Sequence, residues 1–243
     1  MEVSSTTNMI SNISEIKHVY YINLDNRPDR KAEVEQEIHS IGIDKSAVHR
    51  FSAIELVNGA LGCSLSHLKC IQQAKLDNWP HVLILEDDVQ FTNVENFKVQ
   101  FDKLLQTQSD WDVILLAGNN RGPYRILSDC AVQIQACLTT TGYLVKREYY
   151  DALIDNFATS IKYLMSNPTL QRLYAIDVYW HHLQVRDKWL LVYPLSVTQR
   201  PNYSNIEKKY TNYDSLMLTL DKSTSNPPLR RNLVKRGLSM FMG

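Results

Sequence analysis

The sequence predicts an α/β protein built on an open sheet flanked by helices. Strand-like and helix-like stretches alternate through the first half of the chain. "HVLIL" and "WDVILLAG" are short, unbroken apolar runs, the pattern of strands covered on both faces. Between them, "ENFKVQFDKLLQT" carries helical spacing. The chain's 243 residues are enough for one large core.

Taken in order, residues 1–15 are polar and read as a disordered lead. "HVYYINL" (18–24) is β-branched and aromatic, and reads as a strand. "DNRPDRKAEVEQEIHSIGI" reads as a helix, with Pro28 at its first turn and Gly42 just past its end. "AVHRFSAI" is a second strand. "GALGCSLSHLKCIQQAKLDNW" is helical from about Ser64, with Leu65, Leu68, Ile71 and Leu76 on one face. After the two apolar runs the pattern is less regular. "CAVQIQACL" alternates and reads as a half-exposed strand, "KREYYDALIDNF" and "YAIDVYWHHLQV" as helices, and "WLLVYP" as a strand. One domain over residues 16–210 is therefore expected. Residues 211–243 read as a linker and a basic tail.

Composition excludes several classes. The 26 Lys plus Arg equal the 26 Asp plus Glu, so no basic field recruits nucleic acid. No apolar run approaches the ~18 residues of a membrane-spanning helix. The N-terminus lacks the basic and apolar regions of a secretory signal. Cys63, Cys70, Cys130 and Cys137 form no C-x-x-C pair and read as free thiols, which points to the cytoplasm. In the tail, Leu229, Leu233, Val234, Leu238 and Phe241 gather on one side of a helical spacing. Such a segment either lies on an anionic membrane as a peripheral contact or packs on its own domain.

The run "LILEDDV" raises the functional question. Glu86, Asp87 and Asp88 follow four aliphatic residues without a break. Like charges ~4 Å apart repel by ~4 kcal/mol at an effective dielectric of about 20. Alternation along a strand would send Glu86 and Asp88 one way and Asp87 the other. In open α/β sheets, ligands bind beyond the carboxyl ends of strands. The acids therefore read either as a clamp for a hard cation such as Mn²⁺ or Mg²⁺, or as a solvated turn. A phosphoreceiver domain fits poorly, since its acceptor position would be Ala117.

"YYINLDNRPDR", "GALGCSLSHLKC", "LILEDDV", "TTTGYLVKREYYDALI" and "IDVYW" occur in this order, and together they resemble glycosyltransferase family 25. The resemblance covers roughly residues 17–206. It implies a GT-A-type, nucleotide-sugar-binding, Rossmann-like mixed sheet flanked by helices. It further implies a UDP-hexose donor, a divalent metal, inversion at the anomeric carbon, and a glycan, lipid-linked or hydroxylated-protein acceptor. Within it, Asn23, Leu24, Arg27 and Arg30 match the opening strand and turn, where arginines would offset diphosphate charge. Otherwise they pair with Asp25 and Asp29 at a helix entrance. Gly62, Ser66 and His67 match a donor-binding segment, although a lone helical His is more often a core residue. Asp88 is the leading metal ligand, with Glu86 or Asp87 adding a contact to metal or ribose. Asp177 matches the general base, beside Tyr179 and Trp180, which suit sugar stacking. The competing readings are a helix N-cap, or a metal pair with His181. Gln199, Ser204 and Ile206 match the closing segment, where Asn205 stands in place of the more usual residue and Arg200 adds charge.

The sequence departs from the pattern at Ala60, where Glu is common, and at Asn205, where Asp is. It also has no His after His182 to serve as a late metal ligand. The reading is an inverting hexosyltransferase. The alternatives are a non-catalytic nucleotide-sugar or glycan-binding relative, and another metal-dependent nucleotidyl transferase.

Overall fold

Val82 to Leu85, the unbroken apolar run, are fully buried in the middle of a sheet covered on both faces. The structure is a computed structural model and describes residues 10–204 and 209–222. In chain order it contains β1 (Val19–Asn23), α1 (Pro28–Ser40), β2 (Val48–Ser52), α2 (Gly59–Leu76), β3 (His81–Glu86), β4 (Val89–Phe91) and α3 (Val94–Thr107). There follow β5 (Val113–Leu115), β6 (Asn119–Asn120), β7 (Tyr124–Ile126), β8 (Ala131–Ile134), β9 (Cys137–Leu138) and β10 (Gly142–Lys146). The last part holds α4 (Tyr150–Ser166), α5 (Gln171–Tyr174), α6 (Ile176–Tyr179), α7 (His181–Arg186), β11 (Trp189–Val192), β12 (Val197–Gln199), β13 (Asn202–Ser204), β14 (Lys209–Thr211) and α8 (Asp214–Met217).

The main sheet has eight strands in the order β2-β1-β3-β10-β5-β11-β8-β7. β1 runs parallel to β2 and β3, while β10 is antiparallel to both β3 and β5. β11 is parallel to β5 and antiparallel to β8. The expected α/β class, a large mixed sheet flanked by helices, is the one observed.

Strand alternation divides the core in two. Leu83 and Leu85 pack with Val34 and Ile38 of α1 and with Phe97 and Phe101 of α3. Val82 and Ile84 pack with Leu68 and Ile71 of α2 and with Leu153 and Phe157 of α4. Each large side chain so buried contributes about 1.5–3 kcal/mol. The helix starts follow local chemistry. Pro28 opens α1, and the side chains of Asn58 and Asn93 accept the Leu61 and Asn96 N–H groups at the starts of α2 and α3.

Several expectations need correction. α2 begins at Gly59 rather than near Ser64, because Asn58 caps it there. "YAIDVYWHHLQV" is broken at Trp180 into the short α6 and α7. "CAVQIQACL" alternates as expected, with Val132 and Ile134 buried, Gln133 half-buried and Gln135 exposed, but it is interrupted after Ile134 and resumes as β9 at Cys137. Of the lead expected to be disordered, residues 1–9 lie outside the described residues, whereas Ile13 sits in the core. The linker expected from 211 includes α8, whose Met217 is fully buried and whose Asp214 accepts from Thr198. The tail from residue 223 lies outside the described residues. No helix among the described residues is long and apolar enough to cross a membrane.

Gly62, expected in a donor-binding segment, instead allows a close approach within the protein itself. A Cβ there would lie 2.3 Å from the Ile54 carbonyl oxygen. Backbone cannot swing aside as a flexible side chain does. Gly62→Ala should therefore lower stability by about 1–3 kcal/mol despite alanine's better helix propensity, as read from a urea melt.

Candidate active site

The carboxyl ends of β1 and β3 meet the segment before β10, the end of β12 and the start of α6. Glu86 stays on the α2 face, as alternation requires. Its Oε1 accepts from the Thr140 hydroxyl at 2.6 Å, and His67 Nε2 and Cys63 Sγ approach the same oxygen at 3.3 and 3.7 Å. Its Oε2 accepts from Gln199 Nε2 at 3.0 Å. Burial pushes the Glu86 carboxyl up, but the bonds from His67, Thr140 and Gln199 outweigh it and hold the group below its ordinary range.

Asp87 turns to the α1 face. It accepts from Asn23 Nδ2 at 2.8 Å and from Arg30 Nη1 at 2.9 Å. Burial raises its pKa against the opposing pull of Arg30 and Asn23. The chain has left the strand by Asp88, so alternation stops there. Asp88 Oδ2 lies 3.7 Å from the same Arg30 nitrogen, on the side predicted for Asp87 alone. Its Oδ1 is buried without a partner. Burial, then Glu86 and Asp87, push this carboxyl well above its ordinary range. A cation would satisfy the free oxygen and relieve the repulsion, so the residues fit one.

Asp177 is not an N-cap. Ala175 holds that position with no side-chain cap, and Asp177 Oδ2 accepts the Thr139 N–H at 3.1 Å. Its pKa is raised, first by burial and further by Glu86. The segment Thr139–Thr141 joins the two acids. Thr139 holds Asp177, Thr140 holds Glu86, and the Thr141 carbonyl accepts the Glu86 N–H at 2.9 Å. Thr139 adopts φ +79°, a costly conformation for a β-branched residue. Nothing in the sequence signalled these roles beyond the run of three threonines. Cys63 was likewise missed as a neighbour of the acids, although it stands one helical turn before His67.

Other expected residues divide. Asn23, Arg30, His67 and Gln199 reach the acids directly. Arg27 pairs with Asp29 at 2.7 Å, as its alternative reading had it, but Asp25 pairs with Arg50 instead. Leu24 contributes its carbonyl to the turn, accepting from the Arg27 N–H. The Ser66 hydroxyl bonds the Ile54 N–H and the Gly62 carbonyl in full burial, so it shapes the α2 entrance rather than facing a ligand. Arg200 spends its charge on Glu37 and Glu33 of α1, while its N–H donates to the Asp88 carbonyl. Trp180 is fully buried with its indole N–H on the Cys137 carbonyl, which removes it from sugar stacking. Tyr179 packs near Tyr163 and His182. Asn205 and Ile206 lie outside the described residues.

Comparison with known proteins adds the lineage. Human procollagen galactosyltransferase 2 is 24% identical over 212 residues, covering 79% of this chain and 34% of that one. The human inactive glycosyltransferase 25 family member 3 is 25% identical over 146 residues, covering 58% of this chain and 23% of that one. The chain thus spans about a third or less of the length of these curated relatives. Among solved structures, a glycosyltransferase involved in the glycosylation of the major capsid of PBCV-1 superposes with TM-score 0.43 at 11% identity, covering 72% of this chain and 79% of that one. A UDP-glucose pyrophosphorylase complexed with UDP-glucose gives 0.44 at 11%, covering 72% of each chain. The family model for "Glycosyltransferase family 25 (LPS biosynthesis protein)" matches residues 47–176. That match spans more than half of the chain, from β2 through the acid turn to the start of α6, and by it the chain belongs to glycosyltransferase family 25.

Proposed function

We propose that this chain transfers a hexose, galactose or glucose, from a UDP-sugar to a hydroxyl acceptor with inversion. The observation that carries the reading is the juxtaposition of Asp177 with Glu86 through Thr139–Thr141, beside an Asp88 oxygen that is buried and unpartnered. Asp88, with Glu86 or Asp87, would hold a divalent ion such as Mn²⁺ or Mg²⁺, whose charge would offset that of the diphosphate leaving group. Asp177 takes the proton from the acceptor hydroxyl as that oxygen attacks the anomeric carbon. Its burial raises its basicity, and the Thr139 N–H fixes its orientation. Arg30 stands between Asp87 and Asp88, where it limits their mutual repulsion.

The acceptor is a glycan, a lipid-linked sugar or a hydroxylated protein side chain. The place of action is the cytoplasm, where four free thiols persist, with the basic tail as a peripheral membrane contact. A second reading is a binding module without turnover, favoured by the likeness to relatives named as inactive. A donor screen tests both. The chain is incubated with each UDP-sugar and Mn²⁺, with an acceptor mixture, and free UDP is measured. One UDP-sugar should stand out. UDP binding by calorimetry with no release from any donor would favour the binding module.

A further inference from the structure

We propose that Cys63, His67 and Glu86 form a binding site for a zinc-class cation, distinct from the oxygen-ligand position at Asp88. The proposal does not depend on sugar transfer.

Cys63 and His67 lie four residues apart on α2 and so share one face. Their ligand atoms and a Glu86 carboxylate oxygen all lie within 4.8 Å of one another, and they are the one such three-residue group among the described residues. A tetrahedral zinc ion binds nitrogen and oxygen at about 2.0–2.1 Å and thiolate sulfur at about 2.3 Å. Its nitrogen–oxygen edge is then about 3.3–3.4 Å and its sulfur–oxygen edge about 3.5 Å. The observed His67 Nε2 to Glu86 Oε1 separation is 3.3 Å, and Cys63 Sγ to the same oxygen is 3.7 Å.

The remaining bonds already suit a metal. His67 Nδ1 lies 2.8 Å from the Tyr143 hydroxyl. On metal binding the ring proton shifts from Nε2, where it bonds Glu86, to Nδ1, where it is donated to the Tyr143 hydroxyl, leaving the Nε2 lone pair for the cation. Glu86 Oε1 is oversubscribed, since Thr140, His67 and Cys63 all converge on it. A cation would replace two of these three contacts with ligand bonds. On binding, the Cys63 thiol releases its proton to solvent. Sulfur, nitrogen and oxygen each donate an electron pair, and water completes the tetrahedron. Thiolate and imidazole select zinc or cobalt over manganese. Asp88 and Arg30, on the α1 side, offer no such soft ligand.

Cobalt reports the site directly. The reduced protein, stripped with EDTA, is titrated with Co²⁺ alone. The expected result is a near-ultraviolet thiolate-to-cobalt band that saturates at one equivalent, disappears on adding Zn²⁺ and resists equimolar Mn²⁺. The band should be lost in Cys63→Ser and retained in Asp88→Asn. Zinc should also raise the Tm of the wild type and outcompete a chromophoric chelator of micromolar affinity, a measurement that needs no variant to fold. No band in the wild type, a band that survives Cys63→Ser, or failure against the chelator would overturn the proposal. Loss of the band in Asp88→Asn would show one shared site and overturn it equally.

Discussion

Asp177→Asn should lose about 10²–10⁴ in sugar transfer while binding UDP as the wild type does. The amide is nearly isosteric and can still accept the Thr139 N–H, so the Thr139–Thr141 segment keeps its path. What disappears is the lone pair that removes the acceptor proton. The pH dependence separates this role from a structural one. Asp177 is buried, and its pKa is raised in the folded protein. The base is therefore protonated over a wider acid range than an exposed Asp. The wild-type rate should fall as pH drops through that raised value, with the acid limb above the ordinary ~3.9 of aspartate. The variant's residual rate should lack this limb. A folded variant that transfers sugar at near-normal rate would remove Asp177 from the chemistry.

Asp88→Asn should make the metal-free protein more stable and the Mn²⁺-loaded protein less so. Asp88 has a pKa pushed well up by burial, by Glu86 and by Asp87. A carboxyl raised in the folded state binds its proton more tightly there than in the unfolded chain. The native state is thus penalised once pH exceeds the unfolded value, and the penalty grows until the folded group also ionises. At neutral pH the neutral amide escapes this cost. Each kcal/mol relieved raises Tm by about 2–4 °C in a chain of this size. Saturating cation reverses the order. A ligand at a hundredfold excess over its Kd adds about 2.7 kcal/mol to the wild type. The variant, lacking the carboxylate, should gain little. Melts of both proteins in EDTA and in Mn²⁺ give all four values. Equal shifts with Mn²⁺ in the two would end the role assigned to Asp88.

The sheet could be read because its strands announce themselves. "HVLIL" and "WDVILLAG" are unbroken apolar runs, and both occupy the covered interior. Glu86 and Asp87 separate to opposite faces because the period of two persists to the end of β3. It fails at Asp88, where a turn begins, and no local pattern fixes where a turn residue points. The contacts that build the site are long-range. Gln199 reaches Glu86 across 113 positions, and Arg30 reaches the Tyr203 carbonyl across 173. Ser66 and Trp180 show the reverse. Both fell within stretches that read as functional, yet their polar groups are occupied by backbone partners brought close by packing.

The sheet order also governs how the chain emerges from a ribosome. β11, residues 189–192, lies between β5 and β8 and, among the described residues, is the only strand joining the β7–β8 hairpin to the other five strands of the sheet. Until those residues are synthesised, the nascent chain carries two halves that cannot join. β5 is apolar on both faces and exposes one unpaired edge throughout that interval. Open apolar edges are templates for pairing between chains. A pause in translation before β11 has left the ribosome would therefore favour aggregation far more than a pause after β11 has paired with β5 and β8.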